Sequence, residues 1–174
     1  MLDVSVSYNR YKFIGHEFLT WLWFMIENQP DRLPAAAQNL DSLTIGNRMV
    51  IEKRRKEEVL EAITIKGDDA GLEEGLLALK KGAVVTEMNL VQTMGEHVWR
   101  FNLKGESLNV SNLKTPPVAP VESGDDIEGA VIEKIYLYDQ VLTFIHNLFK
   151  IFIKDRVSDS WPKTVNHMKK WIYS

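Results

Sequence analysis

Residues Phe13 to Asn28 read FIGHEFLTWLWFMIEN, and how this stretch is buried decides the fold. Phe18, Leu22 and Met25 recur at helical spacing, with Leu19 and Trp21 beside them. That periodicity predicts a helix from about Gly15 to Asn28, ended by Pro30 and Pro34. A membrane span needs about 18 uninterrupted apolar residues. The run from Phe18 to Ile26 is broken by Thr20 and is too short. Trp23 and Phe24 leave the far side of the helix apolar as well. They are either core, like Trp21, or part of an interface.

The segments around it are those of an α+β protein with a mixed or antiparallel sheet. Val4, Val6 and Tyr8 alternate within a possible strand at 3–13. Thr44-Ile45 and Met49-Val50-Ile51 flank Gly46-Asn47, a hairpin signal in which glycine would supply a positive φ. Val59 to Ile65 reads as the next strand, although KEEVLEA at its start also favours helix. Leu72 to Lys81 is a short helix with acids early, lysines late and Gly82 just past its end. Strands follow at 83–92 and 97–103, the second with Trp99, Phe101 and Leu103 on one face. Lys104 to Glu106 is a turn, after which 107–110 can pair back. Residues 116–126, rich in Pro, Gly, Ser and acid, are the expected linker between a helix-and-sheet part (1–115) and a helical part (127–174) of one domain, 1–174.

The last part holds the strongest helix, 128–154. Val131, Ile135, Tyr138, Leu142, Ile145, Phe149 and Phe152 are spaced alternately four and three apart, a heptad seam. A second stripe, Leu137, Val141, Phe144, Leu148 and Ile151, lies beside it. Two adjacent stripes need more cover than one small sheet face provides. The helix is therefore central in the fold or part of a subunit interface, with Ile135, Leu142, Ile145, Phe149 and Phe152 as the candidate oligomer contacts. Pro162 opens a final short helix with Val165, Met168 and Trp171 inward.

Composition restricts the chemistry. There is no cysteine, which excludes disulfides, a Cys-ligated zinc site and a thiol nucleophile. Net charge is −3, so the whole chain is not a cationic glove for nucleic acid. The charge is uneven: residues 150–174 carry six Lys/Arg against two Asp, a balance of +4, which leaves −7 elsewhere. His16-Glu17 lacks the second histidine four residues on that a zincin needs, since position 20 is Thr. It reads as a pair at the helix start. Asp68-Asp69 and Asp125-Asp126 sit in Gly-containing turns without the alternating ligands of a calcium loop. A metal-dependent nuclease built on His16, Glu17 or these aspartates is the weakest of three readings. No catalytic residue, metal site, cofactor or small-molecule substrate is expected.

Lys53-Arg54-Arg55-Lys56 is the densest cationic run. Four adjacent cations suit phosphate contacts, each of which releases counterions and makes affinity fall with salt. Glu52, Glu57 and Glu58 beside them equally suit a solvated basic loop.

AITIKGDDAGLEEGLLALKKGAVVTEMNLV, residues 62–91, resembles the C-terminal half of the RdgC family, bacterial recombination-associated DNA-binding proteins. The shared features are Ile63, Lys66, Asp68-Asp69, Glu73-Glu74, Gly82 and Val84-Val85-Thr86. HVWRFNLKGESLNVSNLK, Asp125-Asp126 and Ile145-His-Asn-Leu148 follow in the family's order, and Leu19-Thr20 resembles its opening helix. The similarity covers roughly Phe18 to Phe152. It implies a non-catalytic α+β protein that dimerises around duplex DNA, in the cytoplasm at the bacterial nucleoid. Two departures stand out. The family is longer, with an N-terminal half beyond the part matched here. It also often carries lysines where this chain has Ala83 and Glu87.

Two functional expectations follow. The first is a DNA-associated factor of recombination or nucleoid type, binding duplex DNA without sequence specificity through Lys53, Arg54, Arg55, Lys56 and, more weakly, Lys66. The second is a structural or oligomerisation domain, forming a homodimer or binding another protein, with no DNA binding of its own.

Overall fold

A computed structural model describes residues 13–37, 39–55, 58–66, 69–118 and 127–174. The strand expected at 3–13, Lys56, Asp68, Asp125-Asp126 and linker residues 119–126 lie outside the described residues. Helix α1 spans Phe13–Asn28 and runs into a 3-10 turn, Pro30–Ala36. Strands β1 (Ser42–Arg55) and β2 (Glu58–Ile65) precede α2 (Asp69–Lys80). Then come β3 (Val84–Met94), β4 (His97–Lys104), β5 (Asn109–Lys114), α3 (Ile127–Arg156) and α4 (Trp161–Tyr173).

The strands form one antiparallel sheet in the order β2-β1-β3-β4-β5. Among the described strands, only the passage through α2 connects two that are not neighbours. Its end is capped as its sequence suggests: Gly82 adopts φ 82° and donates its N–H to the Leu79 carbonyl at 2.9 Å. Gly95 at φ 58° makes the tight β3–β4 turn.

Helix α1 crosses β3 and β1, with α3 and α4 against its outer side. It is thus covered all round, the stable solution for a helix that is apolar all round. Phe18, Leu19, Trp21, Leu22, Trp23 and Met25 have no exposed surface. Each such side chain contributes about 1.5–3 kcal/mol on burial. Phe18 meets the Phe149 ring edge-on at 5.3 Å, and Trp21 lies 5.6 Å from Phe152. Trp23 and Phe24 are core, not interface: both contact Trp171 of α4, at 5.2 and 5.6 Å. Glu27 accepts hydrogen bonds from the Trp23 and Trp171 indoles and so ties α1 to α4.

One expectation is overturned. Gly46-Asn47 is not a hairpin turn; β1 runs straight through it. Four steps on β1, from Ile45 to Met49, span two on β3, from Leu90 to Met88, so residues 46–48 form a bulge. Gly46 supplies room here, because a Cβ would overlap the Asn89 side chain. The hairpin partner of β1 begins only at Glu58.

Candidate functional site

Three surfaces carry the candidate residues. The first is the cationic run. Beyond Glu52↔Val84 the strand β1 leaves β3, and Lys53, Arg54 and Arg55 pair only with β2, opposite Glu61, Val59 and Glu58. They form a two-stranded arm at the sheet edge. Lys53 is exposed and borders a small cleft with Glu61, Glu74 and Lys81. Lys66 is also exposed but follows the far end of β2, about 17 Å along the strand from the position opposite Lys53 and about 26 Å from the arm's tip at the usual rise per strand residue. It is not part of the same cluster.

The second surface is the outer stripe of α3, and the chain's own body divides it. Ile145 and Phe152 are 4% and 0% exposed, and Phe149 packs beside them against Phe18. These three belong to the intramolecular core, and the first two offer no surface to a partner. Ile135 and Leu142 are 61% and 55% exposed. Ile127, Val131, Ile132, Tyr136 and Tyr138 are exposed with them. This half-helix is anchored to the body by the Leu137 carbonyl, which accepts a hydrogen bond from the Trp99 indole at 3.1 Å, and at the edge of the stripe by Lys134, which bonds Thr115 and sits over the Tyr138 ring.

The third surface was not anticipated. Among the described elements no helix packs on the second face of the sheet, which carries rows of mostly polar residues set by the strand register. One row is Asn89, Asn102 and Ser111; the next is Thr44, Val91, Arg100 and Lys114. Asn89 donates to Asn102 Oδ1 at 2.6 Å, and Asn102 donates to Glu87 Oε1 at 3.2 Å. Arg48 lies 3.7 Å from the same Glu87 oxygen. The Asn47 N–H donates to Asn89 Oδ1 at 3.3 Å. Together they floor an open groove of about 760 Å³, with Asn112 to Lys114 as its other wall. The only trace in the sequence is polar residues at alternate positions, which any solvated sheet face shows.

His16 and Glu17, in the first turns of α1, each reach a different partner. His16 Nε2 lies 3.3 Å from Glu106 in the β4–β5 turn, and Glu17 accepts from Arg156 Nε at 2.6 Å. No group of three His, Cys, Asp or Glu that could hold a metal occurs among the described residues. His16→Ala is expected to cost about 1 kcal/mol, the range of one hydrogen-bonding contact, and to leave the fold intact by circular dichroism. No helix is long and apolar enough to cross a membrane among the described residues. No protein-family model and no curated protein matches the chain.

Proposed function

We propose that this protein is a non-catalytic assembly module that pairs with a second copy of itself through the exposed half of α3. The observation that carries this reading is the divided stripe. One continuous apolar seam is sealed by α1 over its C-terminal half and bare over its N-terminal half. Five large apolar side chains on that stripe, Ile127, Val131, Ile135, Tyr138 and Leu142, expose on the order of 500 Å², so a pair of stripes would bury about 1,000 Å², the lower end for a specific interface. A seam of this kind is self-complementary, as a two-fold interface requires. Tyr138 adds the residue type that anchors interfaces. Light scattering on the wild type is expected to give a dimer at micromolar concentration. Ile135→Glu with Leu142→Glu is expected to give a folded monomer. A wild-type monomer at high micromolar concentration overturns the reading.

The second reading is association with duplex DNA, supported by the arm at 53–55, which brings cations to the sheet edge. Exposed Glu61 is the cross-strand partner of Lys53 and the chain carries a net charge of −3, so this reading ranks below assembly. Electrophoretic titration at two salt concentrations tests it. Neutralising Lys53, Arg54 and Arg55 to Gln should flatten the log–log salt dependence by about 0.9 per lost phosphate contact. No wild-type binding at low salt removes the reading.

A further inference from the structure

The open sheet face holds an arrangement that a merely solvated face does not need. Arg100 and Lys114 are direct cross-strand partners. Like charges set opposite one another destabilise a sheet. Regular alternation from Ser111 would have placed Leu113, not a cation, opposite Arg100. The strand β5 carries one extra residue instead: Asn102↔Ser111 is followed by Arg100↔Lys114, so two steps on β4 span three on β5. Asn112 takes φ 51° at that irregularity, a conformation asparagine tolerates better than most residues. The bulge therefore creates the cation pair. Neither cation has an ion-pair partner among the described residues.

The facing wall is irregular too. The β1 bulge at 46–48 directs the Asn47 N–H onto Asn89 and sets Arg48 beside the groove. Bulges concentrate where side chains are re-aimed at a site, and two of them border this one groove. From β1 to β5 is three strand spacings, about 14 Å. The volume lies within the usual range for small-molecule sites. Among the described residues no aromatic side chain lines the groove, so they offer no stacking platform.

We propose that the groove binds a phosphate ester, with the phosphate bridged by Arg100 and Lys114. The organic body of the ligand lies across Asn89 and Asn102, toward Asn47 and Arg48. Arginine supplies paired donors to a phosphate and lysine a point charge. An anion between the two turns their mutual repulsion into attraction. Asn89 and Asn102 are already bonded to their neighbours and form the floor, while the exposed amides of Asn47 and Asn112 supply donors and acceptors for a polar body such as a sugar or a base edge.

The test uses the full chain with inorganic phosphate and adenosine monophosphate as probes, read by side-chain amide NMR and by melting temperature. Titration is expected to shift the Asn89 and Asn102 amide resonances and to raise the melting temperature. In the variant Arg100→Gln with Lys114→Gln, affinity should fall at least tenfold. Both side chains are exposed, so that variant should fold. Its melting temperature in phosphate-free buffer should equal or exceed the wild type's. A short DNA duplex, added as competitor, distinguishes the phosphate's source. Displacement of the monophosphate assigns the groove to a nucleic-acid backbone, and persistence assigns it to a small phosphate ester. Absence of amide shifts with either probe at about 10 mM, a weaker affinity than any useful site has, overturns the proposal. Equal shifts in wild type and variant overturn it as well. The Ile135→Glu, Leu142→Glu monomer should bind the probes normally, so this result and the assembly result stand apart.

Discussion

Alanine at Gly15 is expected to detach helix α1 from the sheet and unfold the protein at moderate urea concentration. Gly15 lies in the first turn of α1, against the backbone of Gly105. A Cβ there would overlap the Gly105 carbonyl group. The approach is tight from the other side too, since a Cβ on Gly105 would come 2.8 Å from the Gly15 oxygen. Backbone meets backbone, so no side chain can swing aside. The turn cannot retreat cheaply, because the Gly105 N–H is bonded to the Thr86 carbonyl at 2.9 Å. Overpacking a filled site costs about 1–3 kcal/mol when side chains can adjust. Here the expected loss is at or above the top of that range. Gly129→Ala is the control: it sits in α3 with nothing near its Cβ position. Alanine there should stabilise by up to about 1 kcal/mol through helix propensity. Urea midpoints of the two variants should move in opposite directions, and a stable, wild-type-like Gly15→Ala would refute the close contact.

The second large effect is at Trp21. Truncation to alanine empties a site bounded by Phe18 and Phe152, and the side chain has no exposed surface to begin with. Such truncations cost about 3–5 kcal/mol. Domains hold only about 5–15 kcal/mol in all, so Trp21→Ala should be largely unfolded on modest warming. Trp23→Ala should approach the same loss by a different route. It removes the contact with Trp171 and one of the two indole donors to Glu27, so α4 should loosen first. Hydrogen exchange in 161–173 would register that order of events. Equal protection of α4 in Trp23→Ala and wild type would contradict it.

Much of the scaffold was legible because its signals are local. The helix near 13–28, the strands near 84–94 and 97–104 and the Gly82 cap each follow from periodicity or a special φ within a few residues. Gly46 misled for an equally physical reason. Glycine marks either a turn that needs positive φ or a place where another group comes close, and the two look alike along the chain. Only the position of Asn89, 43 residues away, separates them. The groove on the open face was hidden for a related reason. Whether Leu113 or Lys114 faces Arg100 depends on one extra residue in β5, and a shift of one flips a strand's faces.

The seam on α3 shows where the two sources divide. By itself the sequence determined that a heptad stripe from Val131 to Phe152 exists and that water is a poor cover for it. Periodicity reports which residues share a face, not what lies opposite that face. The tertiary structure decided the cover. Phe18 and Trp21 of helix α1 meet Phe149 and Phe152 and seal that half, whereas Ile135 and Leu142 stay exposed. Burial is a property of where distant segments stop, and their lengths and crossings are set only when the whole core closes.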